Sequence, residues 1–112
     1  MKNYNKYLIQ ETSTTNHAIE LIQLNHERVV FVVNKKFRII GTVSEGDIIR
    51  SILRNKSINT KITAIMNKSF KFLLNEDKNE AKKLIKKFGI TVIPVVTKNF
   101  KIKSLIKIRD II

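Results

Sequence analysis

The chain has 112 residues, 43% of them hydrophobic, with no Cys and no Trp; this is one domain's worth of core, without disulfides or thiolate metal sites. A formal net charge of +13 raises nucleic acid or an anionic membrane as a partner. The lysines are spread along the whole chain, with no arginine-rich arm, no glycine-rich basic loop and no aromatic residues interleaved with the charges, so they read as a solvated surface.

In chain order, a short strand is expected near Tyr7 to Ile9. A helix follows from about Thr15 to Asn25, where Ala18, Leu21 and Ile22 have the spacing of a buried stripe. RVVFVVN (28–34), a turn at Lys35 and Lys36, and RIIGTVS (38–44) read as a strand pair rich in β-branched residues. A second helix from about Glu45 to Asn55 carries Ile48, Ile49, Ile52 and Leu53 on one side, and a polar connection covers 56–63. SFKFLL (69–74) alternates as a strand. Asp77 and Glu80 then form a helix start, Ala81, Leu84, Ile85 and Phe88 its stripe, and Gly89 its end. TVIPVVT (91–97) and KIKSLIK (101–107) form a second strand pair.

The two halves are one unit written twice. Residues 79–112 laid over 16–49 at a constant offset of 63 match identically at 13 of 34 positions, ending with Asp47, Ile48 and Ile49 on Asp110, Ile111 and Ile112. Each unit is β-α-β-β-α, the last helix being cut off as it begins. The expected fold class is therefore α+β of the α/β type. Two repeats, 1–62 and 63–112, pack as one pseudo-two-fold module.

GTVSEGDIIRSIL at the first strand-to-helix junction, ITAIMN before the second copy and GITVIPVV in its central strand resemble a tandem pair of CBS domains, the Bateman module. YLIQ, IIGTVSEGDIIRSIL and IMNKS are similar, more narrowly, to the CBS pair at the N-terminus of certain sugar-phosphate nucleotidyltransferases. The chain departs from that phrase at Ser44, Glu45 and Ile49 and holds no glycine-rich phosphate loop.

The resemblance implies a regulatory, non-catalytic module that binds AMP, ADP, ATP or S-adenosylmethionine between the repeats and controls an attached or partner enzyme such as a nucleotidyltransferase. It implies a ribose-binding role for Asp47 and a ribose or phosphate contact for Ser44, with Val92, Ile93 and Pro94 walling the adenine and Phe70 or Phe72 beside them. A second, weaker site would pair Lys107, Arg109 and Asp110 with Val29, Val30 and Phe31. Lys107 in place of a hydroxyl weakens that pattern, although two cations suit a polyphosphate. Ser44 and Asp47 also make a good helix cap on their own, and the two roles are compatible.

No catalytic group is expected. His17 and His26 have no third metal ligand in sight, and no nucleophile elbow is present. Met66 reads as core. Pro94 inside a strand reads as an edge. A homodimer through helix faces, a cytoplasmic location and no membrane partner complete the expectations; the alternative is a basic nucleic-acid-associated or purely dimerising module without ligand.

Overall fold

The computed structural model describes residues 4–111. The chain forms two compact units, Met1–Phe70 and Lys71–Ile112, each built by the same rules. Residues 63–70, counted with the second repeat by periodicity, are bonded into the first unit, since Thr42 and Asn67 exchange both backbone hydrogen bonds at 3.0 and 2.8 Å.

In the first unit a 3-10 turn, Asn5–Tyr7, leads into β1 (Leu8–Gln10), so the first strand begins one residue later than the Tyr7 to Ile9 expectation. Helix α1 (Thr15–Asn25) spans the expected residues. Its first free amides have no side-chain cap; Thr15 N and Asn16 N donate instead to the carbonyls of Thr60 and Ile58, at 2.9 and 2.8 Å, which ties the 56–63 connection down. Ala18, Leu21 and Ile22 are buried with Ile9, Val30, Val32, Val43 and Ile48 in one core. β2 (Val29–Val33) runs parallel to β1 and antiparallel to β3 (Ile39–Ser44). Helix α2 (Glu45–Leu53) follows without a loop. Of its expected apolar side only Ile48 is buried, together with Ser51, whose hydroxyl donates to Ile48 O; Ile49, Ile52 and Leu53 stand exposed.

The second unit repeats this plan. Helix α3 (Lys78–Phe88) starts at Asp77, whose carboxylate accepts from Glu80 N at 3.0 Å, and ends at Gly89 with φ 63°. Ala81 and Ile85 are buried, but Phe88 is not part of the core: its ring lies under the ammonium groups of Lys71 and Lys87, 4.3 and 5.5 Å from the centroid. The hairpin of β4 (Val92–Val96) and β5 (Ile102–Lys107) keeps the register of β2 and β3 at the offset of 63. Val92 pairs with Lys107 as Val29 does with Ser44, and both hairpins shift register at the same place, Val32/Val33 and Val95/Val96. Both turns close alike: Asn34 Oδ1 accepts from the amides of Lys36 and Arg38, as Thr97 Oγ1 does from Asn99 and Lys101.

The expected strand at 69–74 is reduced to a single parallel bridge, Leu73 to Val95, through Leu73 N to Pro94 O and Val96 N to Leu73 O. Pro94 stands where β2 has Phe31, and it lacks the N–H that would hold a longer parallel neighbour. The alternation is also read one residue out, because Leu73 packs on the second core while Phe72 meets Phe100 edge to face at 5.0 Å. The chain then closes in a 3-10 turn, Ile108–Asp110, where the first unit has α2.

Candidate functional site

The junction of β3 and α2 is set by local chemistry. Ser44 is the N-cap, in extended backbone, and its Oγ accepts from Asp47 N at 3.2 Å. Asp47 Oδ2 in return accepts from Ser44 N at 2.9 Å and from Ser44 Oγ at 3.1 Å. This closed capping box satisfies two otherwise free groups at the helix start, and the carboxylate lies at the positive end of the helix dipole. The local-cap reading is therefore realised.

The other carboxylate oxygen is engaged too. Arg50 Nη2 donates to Asp47 Oδ1 at 2.7 Å, with the Asp47 side chain 18% exposed and that of Arg50 59% exposed. Gly46 makes room for this: a Cβ there would stand 3.2 Å from Arg50 Nη1, so the guanidinium lies back over the first turn where no side chain intervenes. Asp47 thus accepts three hydrogen bonds, leaving about one of a carboxylate's four lone-pair directions open. Arg50 is missing from the sequence-based site; its place three residues after Asp47 was the available signal.

Beside this junction lies a concavity of about 250 Å³ lined by Asp47, Arg50, Ser51, Arg54, Lys56 and the strip Ala64 to Met66. Each wall has a structural cause. Lys56 N donates to Ser51 O, turning the chain back beneath α2, and the Thr42–Asn67 pair clamps the strip against the outer edge of β3. Gly41 permits that approach, since a Cβ there would lie 2.7 Å from Met66 Sδ. Met66 packs on the core of the first unit.

The other expected site residues divide by unit. Val29, Val30 and Phe31 lie on β2, the last two fully buried. Phe70 is the last residue of the first unit and Phe72 the second residue of the other, neither in a strand. Val92, Ile93 and Pro94 form the start of β4 and are buried. Lys107 ends β5, and Arg109 and Asp110 lie in the closing 3-10 turn. No capping box like that of Ser44 forms there, because Lys107 offers no acceptor oxygen. His17 lies on the α1 surface 3.7 Å from Glu20, and His26 ends that helix; among the described residues no three of His, Asp and Glu gather as metal ligands. No helix of the described residues is long and apolar enough to cross a membrane.

Residues 5–54 match the family model of the CBS domain. The chain is similar in structure to a CBS domain protein from Pyrobaculum aerophilum complexed with AMP (TM-score 0.79, 22% identity, 92% of this chain and 80% of that one). It is also similar to the cytosolic domain of a Mg2+ channel in complex with ATP (0.76, 21%, 95% and 44%). A third likeness is to a CBS domain pair in complex with 5′-methylthioadenosine and S-adenosylmethionine (0.77, 17%, 93% and 86%). No curated protein matches it by sequence. Residues 5–54 are thus similar to the CBS domain, and the chain has the fold of solved CBS domain pairs.

Proposed function

We propose that this chain is a non-catalytic sensor that binds an adenosine-containing ligand, AMP, ADP, ATP or S-adenosylmethionine, at the Ser44–Asp47 junction. The observation that carries the reading is the Asp47 carboxylate. It is held by Ser44 at the start of α2, and Asp47 lines a concavity beside that helix. A carboxylate so fixed accepts from the vicinal hydroxyls of a ribose, and the similar structures complexed with AMP, ATP and S-adenosylmethionine support an adenosine compound as that ribose's source. The signal passes by differential affinity: a ligand that favours one arrangement of the chain shifts its population, and with it the activity of an attached or partner enzyme, such as a nucleotidyltransferase. Displacement of fluorescent etheno-AMP, whose label is on the adenine and whose ribose hydroxyls are free, tests it. AMP, ADP, ATP or S-adenosylmethionine displaces the probe while cytidine does not; equal displacement by cytidine, or no probe binding, contradicts it.

One further observation favours self-association of the same module. Ile49, Ile52 and Leu53 present one apolar face of α2 at 56%, 49% and 76% exposure, a cost in water that a second copy removes.

A further inference from the structure

We propose that the concavity beside Asp47 is an oligophosphate subsite, and that an incoming phosphate chain draws Arg50 off Asp47 and so frees the carboxylate for the ribose. This rests on the adenosine reading above and selects within it, favouring a nucleoside di- or triphosphate over the sulfonium ligand.

Three cations, Arg50, Arg54 and Lys56, line the concavity against one carboxylate, Asp47. That carboxylate is committed to Arg50, and no acidic side chain among the described residues comes within ion-pair distance of Arg54 or Lys56. Two cations without an acidic partner among the described residues thus line a space of about 250 Å³. Closely spaced cations repel one another, and an oligophosphate relieves that repulsion with charge-assisted hydrogen bonds. Their place at the C-terminal end of α2 lets them offset the helix dipole, yet Lys56 lies beyond the helix and is brought back by the Lys56 N to Ser51 O bond.

The Asp47–Arg50 pair supplies the coupling. A ribose diol needs two acceptor positions, and Asp47 has about one to spare while Arg50 holds Oδ1 at 2.7 Å. The pair is on the exposed side of α2, so breaking it is cheap, and the guanidinium reaches the concavity by rotating away from the gap above Gly46. Phosphate and ribose therefore bind with positive coupling at one junction, and a ligand without phosphate must displace Arg50 uncompensated.

The test is calorimetric titration of the full chain, at fixed ionic strength, with AMP, ADP, ATP, S-adenosylmethionine and inorganic tripolyphosphate. It compares wild type, the double variant Arg54→Gln/Lys56→Gln, and a control double variant Lys82→Gln/Lys86→Gln on α3. Wild-type affinity rises about tenfold or more from AMP to ATP. The Arg54/Lys56 variant flattens that rise and loses tripolyphosphate binding with AMP affinity kept, and the α3 control retains both. Equal affinity for AMP and ATP overturns the subsite, as does an equal loss in the α3 control, which would make the effect one of overall charge. If no adenosine compound binds but tripolyphosphate binds in an Arg54/Lys56-dependent way, the subsite stands and the adenosine reading fails; if neither binds, both fail.

Discussion

Ser44 and Asp47 close on each other in both directions, amide to hydroxyl and amide to carboxylate, across the first turn of α2. The residues offered to a ligand are therefore also the ones that start the helix. Ser44→Ala removes an acceptor and a donor together and should cost about 1 kcal/mol, read from urea unfolding. Ser44→Thr, which keeps the hydroxyl, should cost clearly less. Equal losses would mean that the hydroxyl is not what holds the cap.

Gly41 and Met66 make the second prediction. With a Cβ at position 41 set 2.7 Å from Met66 Sδ, 2.9 Å from its Cγ and 3.2 Å from Asn67 O, Gly41→Ala forces the strip off β3 and should destabilise by about 1 to 3 kcal/mol. In a Met66→Ala background two of those three contacts vanish. The penalty should then shrink, and a double-mutant cycle that found strict additivity would count against the close approach.

His26 and Gly89 occupy the same slot of the two units, both left-handed at φ 59° and 63°. Gly89→Ala introduces backbone strain, since no atom approaches within 4 Å to give the new methyl a packing gain, and should cost about 1 kcal/mol. His26→Gly should go the other way, raising stability by up to about the same amount. Thermal unfolding of both variants checks the opposite signs.

Asn25 is the buried polar anchor of the first unit. Its Nδ2 donates to Lys6 O and Val29 O, and its Oδ1 accepts from Glu27 N. Asn25→Leu fits the volume but leaves three backbone groups without these partners, and should cost about 2 to 4 kcal/mol. A loss under 1 kcal/mol in chemical denaturation would show that the backbone finds other partners.

The exposed face of α2 predicts an association equilibrium. Leu53→Lys should lower the mass measured by light scattering at a given concentration, without lowering the stability of the dissociated chain, because Leu53 is 76% exposed. An unchanged mass would remove α2 from the interface.

Periodicity made most of the fold legible, since hydrophobic spacing determines which faces are buried. α1 and the hairpin registers follow from Ala18, Leu21, Ile22 and the β-branched runs, and the offset carries them into the second unit. It failed where a single residue type overrides the pattern. Pro94 removes a donor and reduces the 69–74 strand to one bridge, which no count of alternating residues registers. Asn25 and Phe88 share a slot, yet one is a buried hydrogen-bonding hub and the other a half-exposed ring under two ammonium groups. At the candidate site, Ser44 and Asp47 were readable as a capping pair. The closure of Asp47 by Arg50 depended on Gly46, and the basic concavity on a turn that brings Lys56 back to Ser51, both matters of three-dimensional approach.

The adenosine reading is tested most directly by the ligand-induced rise in unfolding temperature for wild type and Asp47→Asn, the latter keeping an acceptor for Ser44 N. At a hundredfold excess over Kd, a ligand specific to the folded chain adds about 2.7 kcal/mol. One of AMP, ADP, ATP and S-adenosylmethionine should shift the wild type by that order, with Asp47→Asn losing most of the shift. No shift with any of the four, or an undiminished one in Asp47→Asn, would contradict it.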